Sequence, residues 1–423
     1  GPLSTAPERH GKRPFSRSLA FLLKLVSNES LFLTLDRTAA MTLPEIKKTL
    51  HMSIPIVVGQ IGQLAMSVVD NIMVGRVGVE ALAAASIANA VFMLIMVLGF
   101  GLSVAVTPLT AMACGAGQDR TCGVVLRQGL LLNLFFGLVL CGAAFVLADT
   151  IQYMNQPHEI VGPASAYMKV LGLSMLPLML FQNYRQFAEG VNFLKPAMII
   201  TLAANIVNIL ANWVFIFGNL GAPALGLTGA GIATFSSRTF MALLLVIVIR
   251  SSGQLKRFDP TLRFRKIDFT MIKRLLAIGI PAACQYFFEV SAFTASSVMA
   301  GWMGTVSLAA HQIALNLASI SFMIAMGISS AATIRVSNAL GRKDIRATRA
   351  AGFAAVLLCA VFMAGAGIVF IVFRSVLPGL YVSGKAVIEI SSGLLIIVAF
   401  FQISDGTQAV GIGILRGIAD MKI

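Results

Sequence analysis

Charge is what this 423-residue chain has least of. Asp, Glu, Lys and Arg together make up 12% of it, about half the share of a typical soluble domain, so the chain does not read as a soluble globular enzyme. Only 17 residues are acidic. The five cysteines (Cys114, Cys122, Cys141, Cys284, Cys359) lie scattered in apolar runs without a CxxC pair. That excludes a small disulfide framework and leaves them as small apolar residues. Catalytic signatures are missing too: there is no HExxH and no Ser–His–Asp order. His311 has no second His near it and reads as a helix-end or interhelical residue, not a metal ligand. No enzyme and no cofactor is expected.

What is present is apolar sequence, 57% of the chain, which excludes intrinsic disorder. Ten long apolar stretches recur, at about 52–74, 81–112, 123–148, 161–187, 196–217, 226–249, 275–300, 306–334, 350–373 and 386–414. Each is long enough to cross a bilayer as a helix, and too long for the strands of a membrane barrel. The formal balance of +15 on a soluble fold would suggest nucleic acid. Here the basic residues sort by side. With a cytoplasmic N-terminus, 27 of the 32 fall in inside segments, while Arg76, Lys169, Arg374 and Lys385 fall outside and Arg238 lies within a span. That asymmetry predicts a multi-pass membrane protein with its N-terminus in the cytoplasm and no nucleic-acid partner.

The chain also repeats itself. At a shift of 226, Pro55 meets Pro281, Gly75 meets Gly301, Gly78 meets Gly304, Leu82-Ala83-Ala84 meets Leu308-Ala309-Ala310, Ser103 meets Ser329, Thr107 meets Thr333 and Gly115 meets Gly341. At a shift of 227, Gly190 meets Gly417 and Lys195 meets Lys422. Six spans return the chain to its starting side, so the two halves enter the membrane alike and form parallel repeats. The expected fold is an all-α integral membrane protein of two pseudo-symmetric lobes: residues 41–250 (N-lobe, helices 1–6), a basic linker at 251–274, and residues 275–423 (C-lobe, helices 7–10). Residues 1–40 read as an extraneous or mobile segment. By the repeat's own symmetry the second lobe holds four of six helices, and a truncated, inactive fragment is one expectation that follows.

Three acids, Asp70, Glu289 and Asp405, lie inside spans, where each ionised group costs about 2.5–3.5 kcal/mol on insertion scales and usually faces a functional cavity. Each sits on a polar stripe at helical spacing: Gln60, Gln63, Ser67 and Asp70; Gln285, Glu289 and Ser296; Gln402 and Asp405 with Gln408 beside them. Asn205, Asn208 and Asn212 form a stripe without charge, as do Gln312, Asn316 and Ser319. For the Asn stripe, interhelical hydrogen bonding and a polar cavity are equal readings. Helix glue does not require ionisable groups, so the acids read as functional. Gly115-Ala116-Gly117 and Gly341-Arg342-Lys343-Asp344 follow helices and read as C-caps, not phosphate cradles.

Ser67-Val68-Val69-Asp70-Asn71-Ile72-Met73-Val74-Gly75, Phe287-Phe288-Glu289-Val290, Ala309-Ala310-His311-Gln312-Ile313-Ala314-Leu315-Asn316, the fifth-span Asn212-Trp213, and Asp405 with Leu415-Arg416-Gly417 together resemble the multidrug and toxic compound extrusion (MATE) family, in its NorM-like branch. The resemblance implies twelve helices in two six-helix lobes around a cleft. It implies export of lipophilic, often cationic compounds in exchange for Na+ or H+, by a monomer in the inner membrane of a bacterium, with membrane lipid around it. It places Glu289 and Asp405 at a C-lobe cation site, Na+ being one candidate ion, and Asp70, the third cation-coupling candidate, with Asn208 and Asn212 in an N-lobe acidic pocket. It sets Gln60, Gln63, Ser67, Asn205, Gln285, Gln312, Asn316, Phe401 and Gln402 along the cleft, with Phe401 where some relatives carry Tyr. A lipid-precursor flippase of the same superfamily is the alternative, and it would need a basic cleft.

Overall fold

The structure, a computed structural model, describes residues 30–154, 156–259 and 267–419. Residues 1–29 of the N-terminal segment, 260–266 of the linker, and Lys422 with its repeat pairing to Lys195 lie outside the described residues. The chain divides into two units, Gly1–Glu45 and Ile46–Ile423, and the second builds the helical fold that follows.

Ten helices long and apolar enough to cross a membrane run Leu43–Gly75, Val79–Gly115, Asp119–Tyr153, His158–Gly190, Leu194–Phe217, Gly226–Ser251, Phe269–Trp302, Thr305–Gly341, Ile345–Val372 and Lys385–Gly417. Each predicted stretch coincides with one of them. Most run past the predicted ends, because a helix keeps its backbone hydrogen bonds through the polar turns that follow an apolar core. Among the described residues there is no strand. The second span is interrupted between Ser103 and Val106, and the fourth at Ser174. The eighth, the repeat partner of the second, is unbroken.

The repeat holds at the level of atoms. Thr107 Oγ1 donates to Gln186 O at 3.0 Å, and its repeat partner Thr333 Oγ1 donates to Gly413 O at 2.7 Å. A Cβ on Gly190 would meet Thr107 O at 3.0 Å, and one on Gly417 would meet Thr333 O at 3.1 Å. Second and fourth spans thus pack in the N-lobe as eighth and tenth do in the C-lobe, through glycines that let the backbones close. Between the lobes the contacts are reciprocal. Gly101 packs on Ala283 while Gly327 packs on Val57; Gly115 packs on Asn338 while Gly341 packs on Met112. In each pair the two contacts are exchanged by the shift of 226, which is what a pseudo-twofold axis between the second and eighth spans requires.

The two glycine loops are helix ends, as predicted. Gln118 N–H donates to Ala113 O at 2.9 Å and Gly117 N–H to Cys114 O at 3.1 Å; Asp344 N–H donates to Ala339 O at 3.0 Å and Lys343 N–H to Leu340 O at 2.9 Å. These are matched Schellman caps, with the left-handed residue at Gly117 (φ 70) and Lys343 (φ 60). Glycine takes that conformation without the penalty of about 1–2 kcal/mol that a Cβ brings. Lys343→Gly is therefore expected to raise stability by about 0.5–1 kcal/mol, read as a higher melting temperature in detergent; a lowered one would mean that the lysine side chain holds the turn.

The segment that follows the sixth span, through the 3-10 turn Gly253–Phe258, is docked onto the third and fourth spans. Leu255 and Phe258 are buried in the N-lobe core, Phe258 stacks edge-on against Phe187 with centroids 6.2 Å apart, and Arg127 reaches Asp259 at 3.2 Å. Gly123 lets the third span approach Phe258 O.

Candidate functional site

In the N-lobe, Asp70 is the hub of a buried hydrogen-bond network. Asn212 Nδ2 donates to Asp70 Oδ1 at 2.6 Å and to Asn208 Oδ1 at 3.1 Å, and Thr234 Oγ1 donates to Asp70 Oδ2 at 3.0 Å. Asp70 is 8% exposed, and Asn208 and Asn212 are fully buried. The first, fifth and sixth spans therefore meet on one carboxylate. Each of its oxygens has a neutral donor, the arrangement by which a buried carboxylate is made tolerable. Thr234 carried no signal in the sequence, since a lone Thr on an apolar helix satisfies itself on the preceding turn, as this one also does with Ala230 O.

In the C-lobe, Glu289 of the seventh span and Asp405 of the tenth line one cavity. Gln285, Tyr286, Gln408 and Arg416 supply the rest of its polar wall, and Phe322 and Met326 of the eighth span close it. Both acids are half-buried. Residues 116 apart in sequence thus share one space, at mid-span, in contact with no ion-pair partner among the described residues. Between Ala283 and Ala300 no residue of the seventh span is buried, whereas Ile278, Gly279, Ala282 and Ala283 are packed between the lobes. The helix is clamped at one end and open where it carries Glu289.

Several expected cleft residues do other work. Gln402 is 2% exposed and sits between helices: it accepts from Ser321 Oγ at 3.0 Å and donates to Met363 O at 3.0 Å. It shares a broad face with Asp405, but the ninth span covers its side of that face. Asn205 Nδ2 donates to Gly62 O and Thr201 O, both at 2.9 Å, tying the fifth span to the first. Phe401 packs against the apolar cluster of Ile313, Leu317, Leu395 and Val398 and does not line the acid cavity. Gln60 and Gln63 are half-buried and Ser67 is exposed; none of the three has a hydrogen bond to an acid among those described. Gln312 and Asn316 are exposed; Gln312 meets Ser297 at 3.3 Å, and beside it His311 meets Ser296 at 3.4 Å. Gln402→Ala is expected to lower stability by about 1–3 kcal/mol, because it removes both interhelical hydrogen bonds and empties a buried side-chain site, while ligand affinity stays within about twofold; melting and dye-binding titrations on the purified chain separate the two.

Three charges that the sequence did not single out are buried as well. Glu189 is 5% exposed and pairs with Arg185, itself 8% exposed, at 2.8 Å on the fourth span. Arg416 is 6% exposed and lines the acid cavity. All three stand near helix ends, where a charge normally reaches water. The repeat held a signal, since the shift of 227 puts Glu189 and Arg416 at one register. Arg238 lies within the sixth span as expected, its Nη1 donating to Ser174 Oγ at 2.6 Å, at the interruption of the fourth span, and its guanidinium 5.3 Å from the Phe92 centroid.

The MatE family model matches residues 55–214 and 281–423, two stretches whose starts differ by the repeat shift. Over 381 residues the chain is 31% identical to the multidrug resistance protein NorM of Vibrio vulnificus strain YJ016, covering 89% of this chain and 83% of that one. A probable multidrug resistance protein NorM of Bradyrhizobium diazoefficiens is 34% identical over 385 residues (90% and 82%). The multidrug resistance protein MdtK of Photorhabdus laumondii is 30% identical over 384 (90% and 83%). Among solved structures, the eukaryotic MATE transporter AtDTX14 superposes with a TM-score of 0.82 at 21% identity, over 90% of this chain and 85% of that one. With the two-lobe helical fold, the family model over most of its length and relatives matched over 82–83% of their own length, this chain belongs to the MatE family of multi-pass membrane proteins, in its NorM-like branch.

Proposed function

We propose that this protein is a secondary active multidrug efflux antiporter that exports lipophilic, often cationic compounds in exchange for Na+ or H+. Its relatives carry the name multidrug resistance protein. The observation that carries the reading is the single cavity shared by Glu289 and Asp405. Two carboxylates there hold either a coupling cation or a cationic substrate, and the two compete. Competition becomes exchange when each ligand favours a different arrangement of the lobes. Asp70, with its Asn and Thr donors, is the second acidic site, in the N-lobe. A flippase for an anionic headgroup is disfavoured, because the cavity sets two acids against one guanidinium.

The same reading takes residues 41–250 and 275–423 as the two lobes and 251–274 as a cytoplasmic linker. The chain works as a monomer in a bacterial inner membrane with its N-terminus in the cytoplasm. The test is ethidium transport by proteoliposomes under a sodium gradient and, separately, a pH gradient. Transport driven by either one is expected and names the coupling ion; an ethidium distribution indifferent to both would remove the antiport reading.

A further inference from the structure

Arg416 has no part in the exchange just described, yet it stands in the wall of the same cavity as Glu289 and Asp405. Its Nη1 donates to the Tyr286 hydroxyl at 2.7 Å and its Nη2 to Gln285 Oε1 at 3.0 Å. Its Cζ stands 4.8 Å from the Tyr286 ring centroid. Among the described residues its Nε, though buried, has no hydrogen-bond partner, and no carboxylate comes within 4.0 Å of the guanidinium. The guanidinium is permanently charged, and it is held on neutral groups of the seventh span while two acids face the same space. Its charge attracts Glu289, and Glu289 and Asp405 repel each other.

The N-lobe answers its equivalent charge differently. Glu189, at the register of Arg416, is closed off by Arg185 one turn away at 2.8 Å. That pair is neutral within its own helix. The C-lobe charge is left for the cavity to balance.

We propose that Arg416 is a fixed countercharge that makes the Glu289–Asp405 cavity a site for one monovalent cation, and that Gln285 and Tyr286 keep it from collapsing onto Glu289. With both acids ionised, the three charges sum to −1. One monovalent cation, Na+ or H+, neutralises that. A divalent ion would leave +1 in a poorly solvated space, which is costly. Arg416 acts through the acids and is a positioning residue that sets cation valence. The inference rests on the antiport reading for its purpose, but its charge arithmetic can be measured without transport.

Binding of 45Ca2+ to the purified full chain is the direct test. The unmodified chain is expected to bind no more than a Glu289→Gln, Asp405→Asn double variant does. Arg416→Gln should raise Ca2+ affinity about tenfold or more, the weight of one charge at a partly buried site, and adding Glu289→Gln should abolish the gain. Arg416→Lys, which restores the charge without the guanidinium fork, should behave as the unmodified chain. A merely structural arginine would give no new Ca2+ site and no rescue by lysine. An Arg416→Gln chain that elutes folded and binds Ca2+ no better overturns the proposal.

Tyr286→Phe is the second variant, in case Arg416→Gln does not fold. It frees the guanidinium to approach Glu289, so the concentration of driving cation for half-maximal ethidium efflux should rise about fivefold with the maximal rate kept; an unchanged value also overturns the proposal. If the unmodified chain moves no ethidium under either gradient, the antiport reading fails, while the Ca2+ arm still decides the role of Arg416.

Discussion

Glu289→Gln or Asp405→Asn alone is expected to reduce gradient-driven efflux to background, a loss of about 100-fold or more. The two carboxylates line one cavity with Arg416. Removing either leaves one acid against one guanidinium, so the space is neutral and no longer attracts a cation. Loss of a charged partner of this kind costs about 1.5–3 kcal/mol even for a single hydrogen bond, and here it removes the net charge as well. Both replacements keep the shape of the side chain, so folding should be retained and can be checked by elution profile. The comparison that gives the result meaning is Ser251→Ala at the exposed end of the sixth span, which should transport within about threefold of the unmodified chain, the range of a surface change. Full efflux in both acid variants would take the coupling role away from this cavity and leave Asp70 as the remaining intramembrane acid of the three.

The ten spans were legible because apolar length is a one-dimensional property, and the repeat because glycines and prolines mark the same turns and close approaches in both halves. Asp70, Asn208 and Asn212 were legible for a related reason: an ionised group inside a span must have neighbours, and the Asn stripe supplied them. Gln402 was not, since a stripe gives the angle of a residue around its own helix and says nothing of which helix covers it. The ninth span covers Gln402, while Asp405, less than one turn away, looks into the cavity. Glu189 and Arg416 were hidden by position, near helix ends where charge is ordinarily solvated. Their burial follows from how the fourth and tenth spans pack against the first, second, seventh and eighth, which no single helix encodes.

The second large effect concerns the end of the molecule where Gly115 and Gly341 lie. Gly115 packs directly on the backbone carbonyl of Asn338, and Gly341 on that of Met112. A methyl group at either position would overlap the opposing backbone, and a carbonyl in a helix cannot rotate away as a side chain can. Overpacking a well-packed contact costs about 1–3 kcal/mol, occasionally more, and the two sites face each other across one seam, since a Cβ on Gly341 would also meet Ala116 N at 3.0 Å, so both overlaps oppose the same closure. Gly115→Ala with Gly341→Ala is therefore expected to hold the second and eighth spans apart at this end. An exchange cycle that alternates access must close this seam in one of its states, so a penalty of about 3 kcal/mol against closure would slow exchange by about 100-fold. Spin labels at Ala116 and Arg342, both exposed and related by the repeat, in a cysteine-free background, would report the separation directly. A longer and broader distance in the double variant is the expected result, with the ligand-binding acids untouched and Glu289-dependent cation binding preserved. An unchanged distance together with normal efflux would mean that the seam gives way elsewhere, and that these glycines serve only the packing of their own helices.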